Sequence, residues 1–211
     1  MSEIDPYRPP QAPLLDEHLP ESFVELWRRD QLLVLGGLAL GFAVGLFALL
    51  ALSLWQVLYP QLPPLIFPHL LRLLLVPLWA YLLLRLRALL ATRFGLHDGL
   101  DRALWLQVAL AFLATGFAAL QEEYGTPLPA ALELTSFALF VVLGLSVLRF
   151  ALSLRRIRRP YPALRLFAWL LLLSGIACAS VLLLVPALLL CLAASVALAW
   201  VFFAAADERA E

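Results

Sequence analysis

Residues 164–206 read LRLFAWLLLLSGIACASVLLLVPALLLCLAASVALAWVFFAAA, and the way this run is cut decides the fold. It holds 43 residues and one charged side chain, Arg165. A bilayer crossing takes roughly 20 apolar residues, so the run is too long for one span and suits two. The cut falls at a tight turn near Leu184 to Pro186, because proline is common where a new helix starts. A single long broken helix is the alternative. Working outward, four more apolar runs lie at about 32–58, 65–90, 102–121 and 131–153, and the divided run supplies about 163–183 and 186–206. The expected fold is an all-α polytopic membrane protein, a bundle of six transmembrane helices.

Composition agrees. Of 211 residues, 64% are hydrophobic and only 14% charged. A soluble domain is nearer half apolar and a quarter charged. Mean hydropathy is +0.93. Formal net charge is zero, but the charges are segregated, and every cationic side chain is an arginine. Arg28 and Arg29 precede the first run. Arg85, Arg87, Arg93 and Arg102 flank the connection between the second and third, and RFALSLRRIRRPYPALR joins the fourth and fifth. The alternate connections, YPQLPP, QEEYGTPLPA and the turn near Pro186, contain no arginine. Every arginine-rich loop therefore falls on one side, and the positive-inside rule places both termini in the cytoplasm.

Residues 1–20 are acidic and proline-rich and read as a disordered leader. They lack the short apolar core and small-residue cleavage site of a signal peptide. Next comes ESFVELWRRD, where Ser22 and Glu25 have capping-box spacing. Phe23, Leu26 and Trp27 share a face there, so 21–31 reads as an interfacial amphipathic helix with Trp27 at headgroup depth, running directly into the first span. Residues 207–211 read as a cytoplasmic tail.

Chemistry has few places to sit. All loops are short, and no phosphate-binding loop, zinc-protease, paired-cysteine or nucleophile-elbow motif is present. His18, His69 and His97 lie on separate segments, so no catalytic set, metal site or cofactor is expected. The most unusual stretch is residues 64–87, PLIFPHLLRLLLVPLWAYLLLRLR, which carries His69 and Arg72 one turn apart on one face. An intramembrane charge costs a few kcal/mol unless it is paired or hydrated. Glu122, Glu123 and Glu133 lie in the same leaflet, with Gln56 and Tyr59 at the same level. An Arg72–Glu133 pair is the first choice, giving an outer-leaflet polar cluster of His69, Arg72, Glu122, Glu123 and Glu133. It reads either as the mouth of a pathway for a small polar molecule or lipid headgroup, or as a pair that fixes helix packing. No carboxylate falls mid-span, against the habit of proton-driven transporters.

Gly37, Gly41 and Gly45 recur every four residues in the first span and form a helix-packing face of the GxxxG kind, open to another span of this chain, a second copy or a different protein. Ser174, Ala177, Cys178, Ala187, Cys191 and Ala194 are softer versions of the same feature. Cys178 and Cys191 are equidistant from the expected turn and read as small packing residues or as a redox pair. Arg155, Arg156, Arg158 and Arg159 form a cluster just outside a span, where each charge attracts anionic headgroups by about 1 kcal/mol. Nucleic acid is not an expected partner, since no aromatic pattern accompanies the arginines.

The leader DPYRPPQAPL resembles the Asn/Asp-Pro-Tyr-x-x-Pro leader of small bacterial multi-span membrane proteins, including RDD-type and uncharacterised ones. It covers about ten residues, and the spans lack the RDD arginine and aspartate pattern. The resemblance implies a bacterial inner-membrane protein and transfers no functional residue.

The leading functional expectation is a non-enzymatic accessory or assembly subunit acting through helix packing on the first span, toward a second copy or another membrane protein. The alternative is a small-solute or lipid-handling permease using the outer-leaflet cluster. Single cysteines at positions 72 and 76, in a chain with Cys178 and Cys191 replaced by alanine, separate the two readings of Arg72. A water-filled pathway predicts labelling of both by a membrane-impermeant thiol reagent applied from outside. Labelling at 72 alone, or at neither, marks a structural charge.

Overall fold

The computed structural model describes residues 21–59, 67–95, 100–124, 129–157, 160–180 and 183–209, with the side chains at 21–22, 100, 119–124 and 184 left aside. The proline-rich leader and the expected cap at Ser22 lie outside these. All described secondary structure is helical: α1 Glu21–Leu26, α2 Arg29–Leu58, α3 Phe67–Phe94, α4 Leu100–Tyr124, α5 Ala130–Leu154, α6 Pro162–Ala179 and α7 Leu184–Glu208. A chain in hydrocarbon must satisfy its backbone internally, and helices do so within one segment. Among the described residues, α2, α3, α5, α6 and α7 are long and apolar enough to cross a membrane.

Several boundaries differ from the sequence reading, for local reasons. The amphipathic segment does not run on into the first span. Arg28 is extended, at φ −92° and ψ 145°, and separates α1 from α2. Its backbone N–H lies 3.5 Å from Gln31 Oε1, which caps the start of α2. α3 runs on to Phe94, where Gly95 at φ +66° donates its N–H to the Ala91 carbonyl at 3.0 Å and ends the helix. The long run does divide in two, but earlier than expected. α6 stops at Ala179, and the Ser180 N–H and Oγ–H donate to the Ile176 and Ala177 carbonyls. Pro186 sits in the first turn of α7, where its missing N–H costs nothing. The expected tail at 207–211 is helical as far as Glu208.

The helices form a closed ring. α2 packs on α3, α3 on α4, α4 on α5, α5 on α6, α6 on α7, and α7 back on α2. Among the described residues no two helices across the ring bring their Cα atoms within 8 Å. The α3–α4 interface is the thinnest of the six. The tightest approach joins α5 to α6. A Cβ at Gly144 would come within 2.5 Å of the Ala179 nitrogen, and one at Gly175 within 2.9 Å of the Gly144 carbonyl. Backbone lies against backbone here, the contact that small residues permit between helices in lipid.

Packing is polarised along the ring axis. Among the largest fully buried side chains of the described residues are Leu32, Leu82, Leu83, Leu86, Leu89, Leu90, Leu104, Phe150, Leu154, Phe167 and Phe202, with Phe23 of α1. All lie toward one end, where α2, α4 and α6 begin and α3, α5 and α7 finish. Among the described residues every arginine but Arg72 is also in that half. Ion pairs tie the same end together. Arg87 holds Asp101 in a two-bond pair between α3 and α4. Arg93 of α3 pairs with Glu208 of α7, and the Tyr161 phenol, just ahead of α6, donates to the same carboxylate. The Phe94 ring meets Tyr161 edge-on at 5.6 Å. The contacts of Glu208 with Arg93 and Tyr161, and of Phe94 with Tyr161, cross the ring and close it.

α1 is folded onto this end. Trp27 of the expected interfacial segment is buried within the protein, and its indole N–H donates to Thr92 Oγ1 at 3.0 Å. Arg209 donates to the Val24 and Trp27 carbonyls, which would otherwise be open at the end of α1. Leu26 faces outward.

Gly144→Ala tests the α5–α6 crossing. Alanine normally improves a helix by up to about 1 kcal/mol over glycine. Overpacking against rigid backbone costs about 1–3 kcal/mol. A net drop in unfolding midpoint in detergent is therefore expected, whereas Gly41→Ala, which meets no neighbour within 4 Å, should not lower it.

Candidate functional site

Large residues fill the ring at its arginine-rich end, and the filling stops near mid-height. Inward positions there carry small side chains: Ala111 of α4, Ser174 and Cys178 of α6, and Ala187, Cys191 and Ser195 of α7. They leave a cavity of about 230 Å³ that all six long helices line. Phe42 of α2 and Trp79 of α3, stacked with centroids 5.0 Å apart, form one wall. Phe140, Leu143 and Val147 of α5 form another.

The cavity wall is almost wholly apolar, and most of its few polar groups are already engaged. Ser174 Oγ–H donates to the Ala187 carbonyl at 3.1 Å, joining α6 to α7. With that proton used, the Cys191 thiol is left to donate to Ser174 Oγ at 3.1 Å. The Cys178 thiol points to the Phe140 carbonyl at 3.5 Å, and Ser195 donates to the Cys191 carbonyl at 2.8 Å. Both cysteines are free thiols. Gln107 of α4 is the exception. It is 3% exposed, lines the cavity, and its Oε1 has no hydrogen-bond partner among the described residues. A buried amide oxygen without a partner costs about 1–3 kcal/mol, so a donor brought by a ligand would be welcomed there.

The sequence-derived candidates are distributed otherwise. His69 and Arg72 lie in the first two turns of α3, at the end away from the arginines. His69 is exposed, Arg72 is half-buried, and each has a partner. Glu133 is exposed in the first turn of α5. Glu122 and Glu123 lie in the last turn of α4, and their side chains are outside the described ones. α4 packs on both α3 and α5, and among the described residues no Cα of α3 lies within 8 Å of one of α5, so Arg72 and Glu133 start helices that are not ring neighbours.

The glycine face also divides. A Cβ at Gly45 would meet Leu75 at 2.7 Å, whereas Gly37 and Gly41 open outward with nothing within 4 Å. The glycine of this helix that sits against α7 is Gly36, facing the Phe203 ring. Arg155 and Arg156 are exposed in the turn after α5, and Arg158 and Arg159 lie outside the described residues. Among the described residues no three His, Cys, Asp or Glu side chains converge as metal ligands would.

Sequence reasoning passed over Gln107, Phe42, Trp79 and Ser195. A search for charges in the spans misses an amide, yet Gln107 is the one amide side chain between Ala103 and Leu120, and that was the available signal. The chain matches no protein-family model, no curated protein and no solved structure.

Gln107→Leu removes the unpartnered oxygen and keeps the bulk. In ligand-free protein it should raise the unfolding midpoint, by about 1 kcal/mol. A fall would show that the amide already has a partner worth more than its burial costs.

Proposed function

We propose that this chain is a six-span integral membrane protein that receives a small, mostly apolar molecule with one hydroxyl or amine donor in its mid-height cavity. The observation that carries this reading is the unpartnered Gln107 oxygen in an otherwise apolar chamber. Size is consistent with it: an engineered apolar cavity of about 150 Å³ binds benzene, so about 230 Å³ suits a somewhat larger ring or a short stretch of chain. α4 serves as the sixth span, since Ala103 to Leu120 carries no charged residue. The arginine-rich end faces the cytoplasm by the positive-inside rule, and the bacterial inner membrane is the proposed location, on the likeness of the leader.

The closed arginine-rich end blocks passage straight through. Entry is then from the opposite end or sideways from lipid, and the thin α3–α4 interface favours the sideways route. His69, Arg72, Glu122, Glu123 and Glu133, at the far end, would meet the polar part of an entering lipid or solute. This is lipid or hydrophobic-solute handling rather than catalysis. The second reading, an accessory subunit, draws on Gly37 and Gly41, which face outward and offer a second copy or another membrane protein a close approach. Its signature is a partner lost on Gly41→Leu while the chain itself stays folded.

Menthol and its hydroxyl-free counterpart p-menthane test the cavity in detergent-solubilised full-length protein. Menthol should raise the melting midpoint and bind about fivefold more tightly than p-menthane, the net value of one hydrogen bond. Gln107→Leu should abolish that difference, and Ala111→Phe, which fills the chamber, should abolish both responses. Equal shifts in the wild type and in Ala111→Phe would place the alcohol in the micelle and overturn the reading.

A further inference from the structure

We propose that Arg155, Arg165 and Trp169, at the end of α5 and the start of α6, form a seat for one phosphate group, separate from the central cavity. The two arginines are ten residues apart. Both line a single pocket of about 220 Å³ with Ile157 and Pro160. The wall of this pocket is mainly polar, unlike that of the cavity. The Arg155 guanidinium carbon lies 4.0 Å from the centroid of the Trp169 ring. That is well inside the roughly 6 Å range of a cation–π contact. Stacking fixes the plane of the guanidinium and leaves its N–H edge free for an anion, the geometry in which arginine binds phosphate best.

Among the described residues no carboxylate pairs with Arg155 or Arg165, whereas Arg87 is paired with Asp101 and Arg93 with Glu208. α6 also starts here, with no side-chain cap at Tyr161, so its first-turn N–H groups and the positive end of its dipole favour an anion. Above the seat, Leu166, Trp169, Leu173 and Ile176 are all exposed and follow one stripe up α6. A phosphate held at Arg155 and Arg165 would place an attached acyl chain along that stripe. The matching ligand is the phosphodiester of an anionic phospholipid, and free phosphate shares the recognising chemistry. The seat draws in Arg165 and leaves out Arg156, so it differs from a uniform arginine patch.

Native mass spectrometry of the full chain in neutral detergent tests the seat, with dioleoyl phosphatidylglycerol, dioleoyl phosphatidylcholine and inorganic phosphate as probes. The wild type should retain phosphatidylglycerol in preference to phosphatidylcholine. Arg155→Gln and Arg165→Gln should each reduce retention about tenfold, as loss of a charged hydrogen bond does. Arg156→Gln, the same charge change one residue away, should leave it unaltered. All three positions are exposed, and an unchanged melting midpoint confirms that each variant is folded. Inorganic phosphate binding with the same arginine dependence, in place of lipid, would keep the seat and make free phosphate its source. Equal losses in all three variants, or equal retention of both lipids, would reduce the site to diffuse charge and overturn the proposal.

Discussion

A ring of six helices cannot close its own centre. Neighbouring helix axes lie about 8–10 Å apart, so a regular ring of six leaves space on its axis for a seventh helix. Among the described residues only side chains can fill that space, because no described helix crosses it and no Cα pair spans it within 8 Å. Side-chain size along the axis therefore determines where the protein is solid. Phe150, Phe167, Phe202 and the leucines of α3 belong to one continuous core at the arginine-rich end. Ala111, Ser174, Ala187, Cys191 and Ser195 are too short to meet at mid-height, and the chamber lies there.

The same geometry explains the ion pairs. At the arginine-rich end three elements that are not all ring neighbours must be joined across the gap, and long side chains do it. Glu208 receives Arg93 from α3 and the Tyr161 phenol from the start of α6. Burial first, and then Glu208, keep the Tyr161 phenol protonated well above the ordinary tyrosine range. The phenol thus remains a donor to the carboxylate. Isolated surface pairs contribute little. This one is three-quarters covered on both sides and shares its carboxylate with a second donor, so removing Glu208 would leave two partners stranded.

The helices were legible in the sequence because bilayer thickness sets their length, and runs such as Ala130–Leu154 could form little else. Their arrangement was not. A helix apolar all round does not declare which face points inward. The recurrence of Gly37, Gly41 and Gly45 states that close approach is permitted on that face without stating what approaches. Two of those three glycines open outward, while the backbone contact is made by Gly144 and Gly175, single glycines on different helices with no repeat to mark them. Trp27 carried the signature of an interfacial anchor but is buried, because Thr92 and Arg209 lie within reach of the folded α1, and no local pattern encodes them. Gln107 was visible as a lone amide, but its meaning depends on five other helices around it.

The chamber has an energetic consequence. Its walls forgo packing contacts that a filled interior would make. The Gln107 oxygen, which has no partner among the described residues, adds about 1–3 kcal/mol. One larger side chain at Ala111 or Ala187 would recover much of the packing. An occupant that fills the space and donates one hydrogen bond recovers both terms at once. In its presence the ring gains stability just where its own side chains leave it hollow, and binding and folding become two aspects of one equilibrium.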